Sequence, residues 1–234
     1  MSTRVLVVED EADIRNLLVL NLRRAGFEVL AAEDGATGLE LLAAHRPPVV
    51  LLDLMLPDMN GHEVCEKIRG NPDTARTFVI MVTALTEEED RIAGFQVGAD
   101  DYVTKPFSLK ELVLRVQVAA RRADQGKAEV EPEPQETEVN HGCLRIDKAA
   151  HRVWVHEETV ELTATEYRLV VYLVENPDKL CERGELLEKV WELPPHLNTR
   201  TVDTHIKRLR FKLGDASSYV ETVRGAGYRF TGGE

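Results

Sequence analysis

The stretch Val49-Val50-Leu51-Leu52-Asp53-Leu54-Met55-Leu56-Pro57 decides the fold. Four apolar residues run straight into an acid. An unbroken apolar run of this length, without alternation, reads as a parallel strand covered on both faces. Pro57, Asn60 and Gly61 then end it with turn chemistry. In open parallel sheets, reactive groups gather beyond the carboxyl ends of the strands. Asp53 stands at such an edge.

The flanking sequence repeats the pattern. Val5–Val8, Val29–Ala32, Phe78–Thr83 and Tyr102–Thr104 read as further short strands. Between them lie helical stretches: one bearing Ile14, Leu17, Leu18 and Leu22, then Gly38–Ala44, Gly61–Arg69 and Glu87–Gly94. Leu109–Arg122 closes the series, with Leu112, Val116 and Ala119 as its core face. Five βα units in succession predict an α/β domain over residues 1–122, a five-stranded doubly wound parallel sheet. Residues 123–140 are acidic and contain Pro132 and Pro134, the composition of an extended, flexible linker.

From residue 141 the character changes to α+β. Leu144–Ile146 and Val153–Val155 alternate like hairpin strands. Thr163 and Glu166 have capping-box spacing and open a helix with Tyr167, Val170, Val171 and Val174. Helices over Arg183–Val190 and Arg200–Leu213 follow, then a hairpin of Val220–Val223 and Tyr228–Phe230. Strands, three helices and a closing hairpin are the order of a winged helix-turn-helix domain, residues 141–234.

Composition bounds the function. With 43% hydrophobic and 30% charged residues the chain is an ordinary soluble one. No apolar run approaches the roughly 20 residues that span a bilayer, so no membrane partner and a cytoplasmic location are expected. Cys65, Cys143 and Cys181 are odd in number and widely spaced, which suits reduced thiols rather than disulfides or a zinc site. The net charge of −12 divides into −6 over 1–122, −5 over 123–140 and −1 over 141–234. Within the last part, Asn198–Lys212 carries Arg200, Lys207, Arg208, Arg210 and Lys212 against the single acid Asp203. Such a local basic stripe matters more for DNA than the total does.

Chemistry-bearing residues recur at the strand ends: Glu9 and Asp10 after the first, Asp53 after the third, Thr83 after the fourth, Lys105 after the fifth. Clustered carboxylates repel one another unless a hard cation joins them. Mg²⁺ suits, since it takes a few carboxylates and binds phosphate oxygens. A phosphoryl group on Asp53 would meet the metal, the Lys105 ammonium and the Thr83 hydroxyl.

With Val-Val-Glu9-Asp10-Glu11, Asp53-Leu-Met-Leu-Pro57, Thr83-Ala84 and Lys105-Pro106-Phe107, residues 5–122 resemble the flavodoxin-like receiver domain of bacterial two-component response regulators. The resemblance implies that Asp53 takes phosphoryl from a sensor histidine kinase and that Glu9, Asp10, Asp53 and the Met55 carbonyl hold Mg²⁺. It implies a cis Lys105–Pro106 peptide and a switch pairing Thr83 with Tyr102. It also implies a phosphorylation-stabilised homodimer, through Arg91 with Glu111 and Asp100 or Asp101 with Arg115 and Arg122. Leu85, apolar two residues after Thr83, would with Met55 shield the acyl phosphate, giving slow self-dephosphorylation.

On a helical wheel, Val202, Ile206, Leu209 and Leu213 form one stripe facing the core. Thr201, Thr204, His205, Arg208 and Lys212 form another, flanked by Arg200 and Lys207, as a DNA-reading helix requires. Arg224-Gly225-Ala226-Gly227 would put an arginine at a hairpin tip, able to enter a minor groove. Leu162-Thr-Ala-Thr-Glu166-Tyr, Arg200-Thr-Val-Asp-Thr-His205-Ile-Lys-Arg-Leu-Arg210 and Thr222-Val-Arg-Gly-Ala-Gly-Tyr228 make residues 142–230 similar to the effector of OmpR/PhoB-type regulators. That resemblance implies double-stranded DNA as partner, met by Arg200, Thr204, His205, Lys207, Arg208, Arg210 and Arg224, with Trp191 and Thr222 on the backbone. In the family the Trp191–Asn198 loop can touch RNA polymerase; a passive connection is equally open. Two rivals stand beside a phosphorylation-activated transcription factor. A dehalogenase-type phosphohydrolase needs a second acid where Met55 stands. A constitutive DNA-binding protein would use the first domain only as a scaffold.

Overall fold

The computed structural model describes residues 3–83, 98–125, 138–197 and 201–232. The chain divides into two compact units, residues 1–128 and 129–234.

In the first unit β1 (Arg4–Val8), β2 (Glu28–Ala32), β3 (Val49–Asp53), β4 (Phe78–Thr83) and β5 (Asp101–Thr104) form a five-stranded sheet in the order β2-β1-β3-β4-β5. Every pairing is parallel. The two-residue period of the strands sorts their side chains into two cores. Val5, Val7, Val49, Leu51, Ile80 and Val82 pack with Leu18 and Leu22 of α1 (Ala12–Arg24), and with Leu112, Val116 and Ala119 of the helix Leu109–Gln125. Leu6, Val8, Val50, Leu52, Val79 and Met81 pack on the other face, with Leu42 of α2 (Gly35–His45) and Val64 and Ile68 of α3 (Gly61–Gly70). The helix Leu109–Gln125, α4, runs past its expected end at Arg122. Leu17 does not join the core, being 44% exposed. The expected helix Glu87–Gly94 lies outside the described residues.

The second unit departs further from expectation. Its first sheet has four antiparallel strands: β6 (Glu138–His141), β7 (Leu144–Asp147), β8 (Arg152–Val155) and β9 (Glu158–Thr159). β6 begins inside the segment read as linker, because Val139 and His141 alternate inward, opposite Ile146 and Leu144. Three helices follow, α5 (Ala164–Val174), α6 (Arg183–Trp191) and α7 (Thr201–Leu213). The capping box opens α5 as the Thr163/Glu166 spacing demands. Val202, Ile206, Leu209 and Leu213 of α7 are all buried. The closing hairpin of β11 (Val220–Val223) and β12 (Gly227–Phe230) is joined by an unforeseen strand, β10 (Leu180–Glu182). A Cβ on Gly227 would lie 2.1 Å from the Cys181 carbonyl oxygen, so the β10–β12 approach requires glycine there. Among the described residues no helix is long and apolar enough to cross a membrane.

Candidate functional site

The parallel order of β1, β3, β4 and β5 brings their carboxyl ends to one edge, and the chemistry collects there. Asp53 ends β3 and is 4% exposed; Glu9 follows β1 and is 1% exposed; Asp10 beside it is open to solvent. Oxygens of these three carboxylates lie within 4.8 Å of one another. Lys105, after β5, reaches back to them: its Nζ donates to Asp53 Oδ2 at 2.6 Å and Glu9 Oε1 at 3.0 Å. Its backbone is fixed by Lys105 N donating to the Thr83 carbonyl, and the Lys105–Pro106 peptide is cis. Asp53 Oδ1 accepts from Met55 N at 3.1 Å. Thr83 ends β4, 2% exposed, and Tyr102 is half-buried against the Leu6 and Met81 core.

The electrostatics are unbalanced. Burial, and then the Asp53 charge, push the Glu9 carboxyl up to about 7 despite its bond to Lys105. Burial alone would lower the Lys105 ammonium, but its bonds to Asp53 and Glu9 outweigh this and raise it. One ammonium faces more negative charge than it neutralises. The donor set is all hard oxygen, so the residues fit a divalent cation such as Mg²⁺.

The loop after β3 is drawn tight beneath this pocket. Gly61 N donates to Leu54 O at 2.9 Å, and Asp58 accepts from the amides of Gly35 and Ala36 at 2.8 Å each. Those amides hold the Asp58 carboxyl below its usual range. A Cβ on Gly61 would lie 2.2 Å from the Asp53 carbonyl oxygen. Gly61→Ala must therefore displace the residue carrying the central carboxylate. The expected loss is about 3 kcal/mol of first-unit stability, read by urea denaturation under circular dichroism.

The expected dimer residues are engaged within the chain. Arg115, 1% exposed in its side chain, pairs with Asp101 Oδ2 at 2.6 Å and Glu111 Oε1 at 2.7 Å. Asp100 turns inward: Oδ2 accepts from Arg69 Nη2 at 2.6 Å and Val79 N at 2.9 Å. Asp100 is thus a fastening of the turn before β5, since Arg69 also donates to Gly98, Ala75 and Thr77 carbonyls. Arg122 is 9% exposed. Arg91 and Leu85 lie outside the described residues.

On α7 the second stripe is not the open face it was expected to be. Thr201, Thr204, His205 and Arg208 are 1%, 7%, 0% and 3% exposed. His205 meets the edge of Trp191 at 5.0 Å between ring centroids, and its Nδ1 lies 3.0 Å from Thr201 O. Trp191 is itself a core residue at 1% exposed, which removes it from the open backbone-contacting surface. Arg208 Nε lies 3.2 Å from the fully buried Glu166 carboxylate, which also takes Lys212 Nζ at 2.7 Å. Arg210 is half-buried, donating to Val220 O and, at 2.8 Å, to Thr222 Oγ1. Asp203 accepts from Arg183 Nε at 2.8 Å and from the Tyr228 hydroxyl. Lys207, Thr222 and Arg224 are exposed, and so is Phe211, at 74%, which sequence reading passed over. Arg200 lies outside the described residues.

Comparison with known proteins bears on both units. Residues 5–117 match the model of the response regulator receiver domain, and residues 157–230 match that of the transcriptional regulatory protein C-terminal domain. The chain is 44% identical over 235 residues to the transcriptional regulatory protein SrrA of Staphylococcus aureus, covering 98% of this chain and 96% of SrrA. The chain belongs to the OmpR/PhoB-type response regulators. Among solved structures, DrrB, an OmpR/PhoB homologue from Thermotoga maritima, matches at 34% identity, TM-score 0.50, over 99% of this chain and all of DrrB. A mutant of RitR matches at 28% identity with a TM-score of 0.65, over 99% of this chain and 100% of RitR. The regulator is therefore a two-component transcriptional regulatory protein, with a receiver domain ahead of a winged-helix DNA-binding domain. It belongs with regulators rather than with classical enzymes, and the phosphohydrolase reading is set aside.

Proposed function

We propose that Asp53 is the phosphoacceptor of this regulator and that its phosphorylation increases DNA binding by the second unit. The observation that carries the reading is the Lys105 ammonium held at 2.6 Å from Asp53 and 3.0 Å from Glu9, inside a three-carboxylate pocket at the sheet edge. An Asp53 oxygen attacks the phosphorus of a kinase phosphohistidine; the P–N bond breaks, and the imidazole leaves with the electron pair and takes a proton. Lys105 and the Thr83 hydroxyl receive the phosphoryl oxygens. Glu9, Asp10, Asp53 and the Met55 carbonyl would hold Mg²⁺, which supplies positive charge to the transferring group. Tyr102, half-buried on the strand next to the one that Thr83 ends, changes rotamer as the threonine hydroxyl moves.

Receiver pairing follows phosphorylation, with Arg91 of one copy meeting Glu111 of the other and Asp101 meeting Arg115 and Arg122, so that Asp101, Glu111 and Arg115 exchange the partners they have within one chain. On the DNA side, Lys207, Arg200, Arg210, Thr222 and Arg224 meet the duplex. Thr201, His205, Arg208 and Trp191 hold α7 in place rather than meeting bases. Intact mass after incubation with Mg²⁺ and a small acyl phosphate tests the reading. One phosphoryl group is expected on the wild type and none on Asp53→Asn; equal loading of both would overturn the assignment.

A further inference from the structure

Arg15 lies on the first turns of α1, outside every motif that marks the acidic pocket. Its Nη1 carries two hydrogens and donates both to the turn between β1 and α1: to Glu9 O at 2.7 Å and to Asp10 O at 2.8 Å. Its Nη2 stands 3.5 Å from Glu33, after β2, and only 17% of the side chain is exposed. Strand pairing reaches as far as Glu9 N, which donates to Ala32 O. Beyond that amide, one guanidinium spans the two peptide carbonyls of the residues whose carboxylates face Asp53.

We infer that Arg15 is a positioning residue for the divalent cation, fixing the Glu9–Asp10 peptides so that both carboxylates converge on Asp53. This rests on the cation-binding reading of the pocket. Orientation carries the effect: groups that hold metal ligands in place typically contribute about 10–100-fold in affinity. The sign separates it from charge alone. A cation beside an acidic pocket opposes a second cation, so deleting Arg15 for its charge would tighten Mg²⁺ binding. Deleting it as a clamp must weaken binding.

The test is calorimetric titration of the full chain with Mg²⁺, with thermal unfolding in the absence of metal, for wild type, Arg15→Met, Arg15→Lys and Asp10→Asn. Arg15→Met is expected to weaken Mg²⁺ about tenfold with its metal-free melting temperature unchanged, and Arg15→Lys, which still offers a donor, to recover part of the loss. Unchanged or tighter Mg²⁺ binding in Arg15→Met overturns the inference. So does a fall in melting temperature that parallels the affinity, which would make the clamp merely structural. If Asp10→Asn binds Mg²⁺ as well as the wild type, or the wild type does not bind it, the cation reading itself fails.

Discussion

Glu166→Ala is expected to destabilise the DNA-binding unit by about 3–5 kcal/mol, the cost of breaking a buried ion pair from one side. Glu166 is 0% exposed and serves two structures at once. Its Oε2 accepts from Thr163 N at 2.9 Å, closing the box that starts α5, and from Lys212 Nζ at 2.7 Å. Its Oε1 faces Arg208 Nε at 3.2 Å, and the Arg208 side chain is only 2% exposed. Truncation removes the carboxylate that this buried guanidinium and Lys212 share between α5 and α7. Glu166→Gln keeps an acceptor for Thr163 but loses the charge, so alanine should cost about 1 kcal/mol more than glutamine, the share of the cap. Trp154 and Trp191 both lie in this unit and report its unfolding in urea. Burial would raise the Glu166 carboxyl, but the charges of Arg208 and Lys212 outweigh it and hold it below its ordinary value. Its folded pKa is thus depressed. The stabilisation is fully present above the unfolded value of 4.5 and is lost as pH falls through the lower folded one. Glu166→Gln should lack that acid-side slope. Coincident urea midpoints for wild type and Glu166→Gln at neutral pH would contradict this account.

Lys105→Met is expected to slow phosphoryl uptake from an acyl phosphate by about 10²–10³-fold, the usual effect of removing a preorganised charge from a developing oxyanion. The same substitution leaves Glu9 and Asp53 facing each other without their ammonium. Glu9, already pushed up to about 7, loses the ammonium that holds it down, so the two carboxylates repel each other more strongly. Mg²⁺ can restore the missing positive charge, so Mg²⁺ affinity should be kept or increased while the rate falls. That opposed pair of changes distinguishes loss of a phosphoryl-binding group from general damage to the pocket. An unchanged initial rate would show that Lys105 does no more than neutralise the resting carboxylates.

The receiver was legible because its signals are positional. An apolar run ending in an acid fixes a strand and its carboxyl edge together, and the parallel topology carries Glu9, Asp53, Thr83 and Lys105 to one place. The core stripe of α7 was legible for the same kind of reason: the helical period puts Val202, Ile206, Leu209 and Leu213 on one side whatever surrounds it. The flanks of that helix were not. A wheel places His205 and Arg208 between the core and solvent, and the deciding partners, Trp191 and Glu166, lie far away in sequence. Arg15 and Arg69 were hidden because guanidinium bonds to backbone carbonyls leave no spacing to read. β6 and β10 are too short and too polar, with Val139, His141 and Cys181 as their inward residues, to stand out from a linker or a turn.

The most direct measurement of the switch is DNA affinity with and without phosphoryl loading. Fluorescence anisotropy would use a labelled duplex selected from a random pool by the acyl phosphate-treated wild type, with Mg²⁺ present throughout. Acyl phosphate should tighten binding by the wild type and leave Asp53→Asn unchanged. If both proteins bind the duplex equally tightly with or without the phosphoryl donor, the regulator binds DNA constitutively and its receiver is a scaffold.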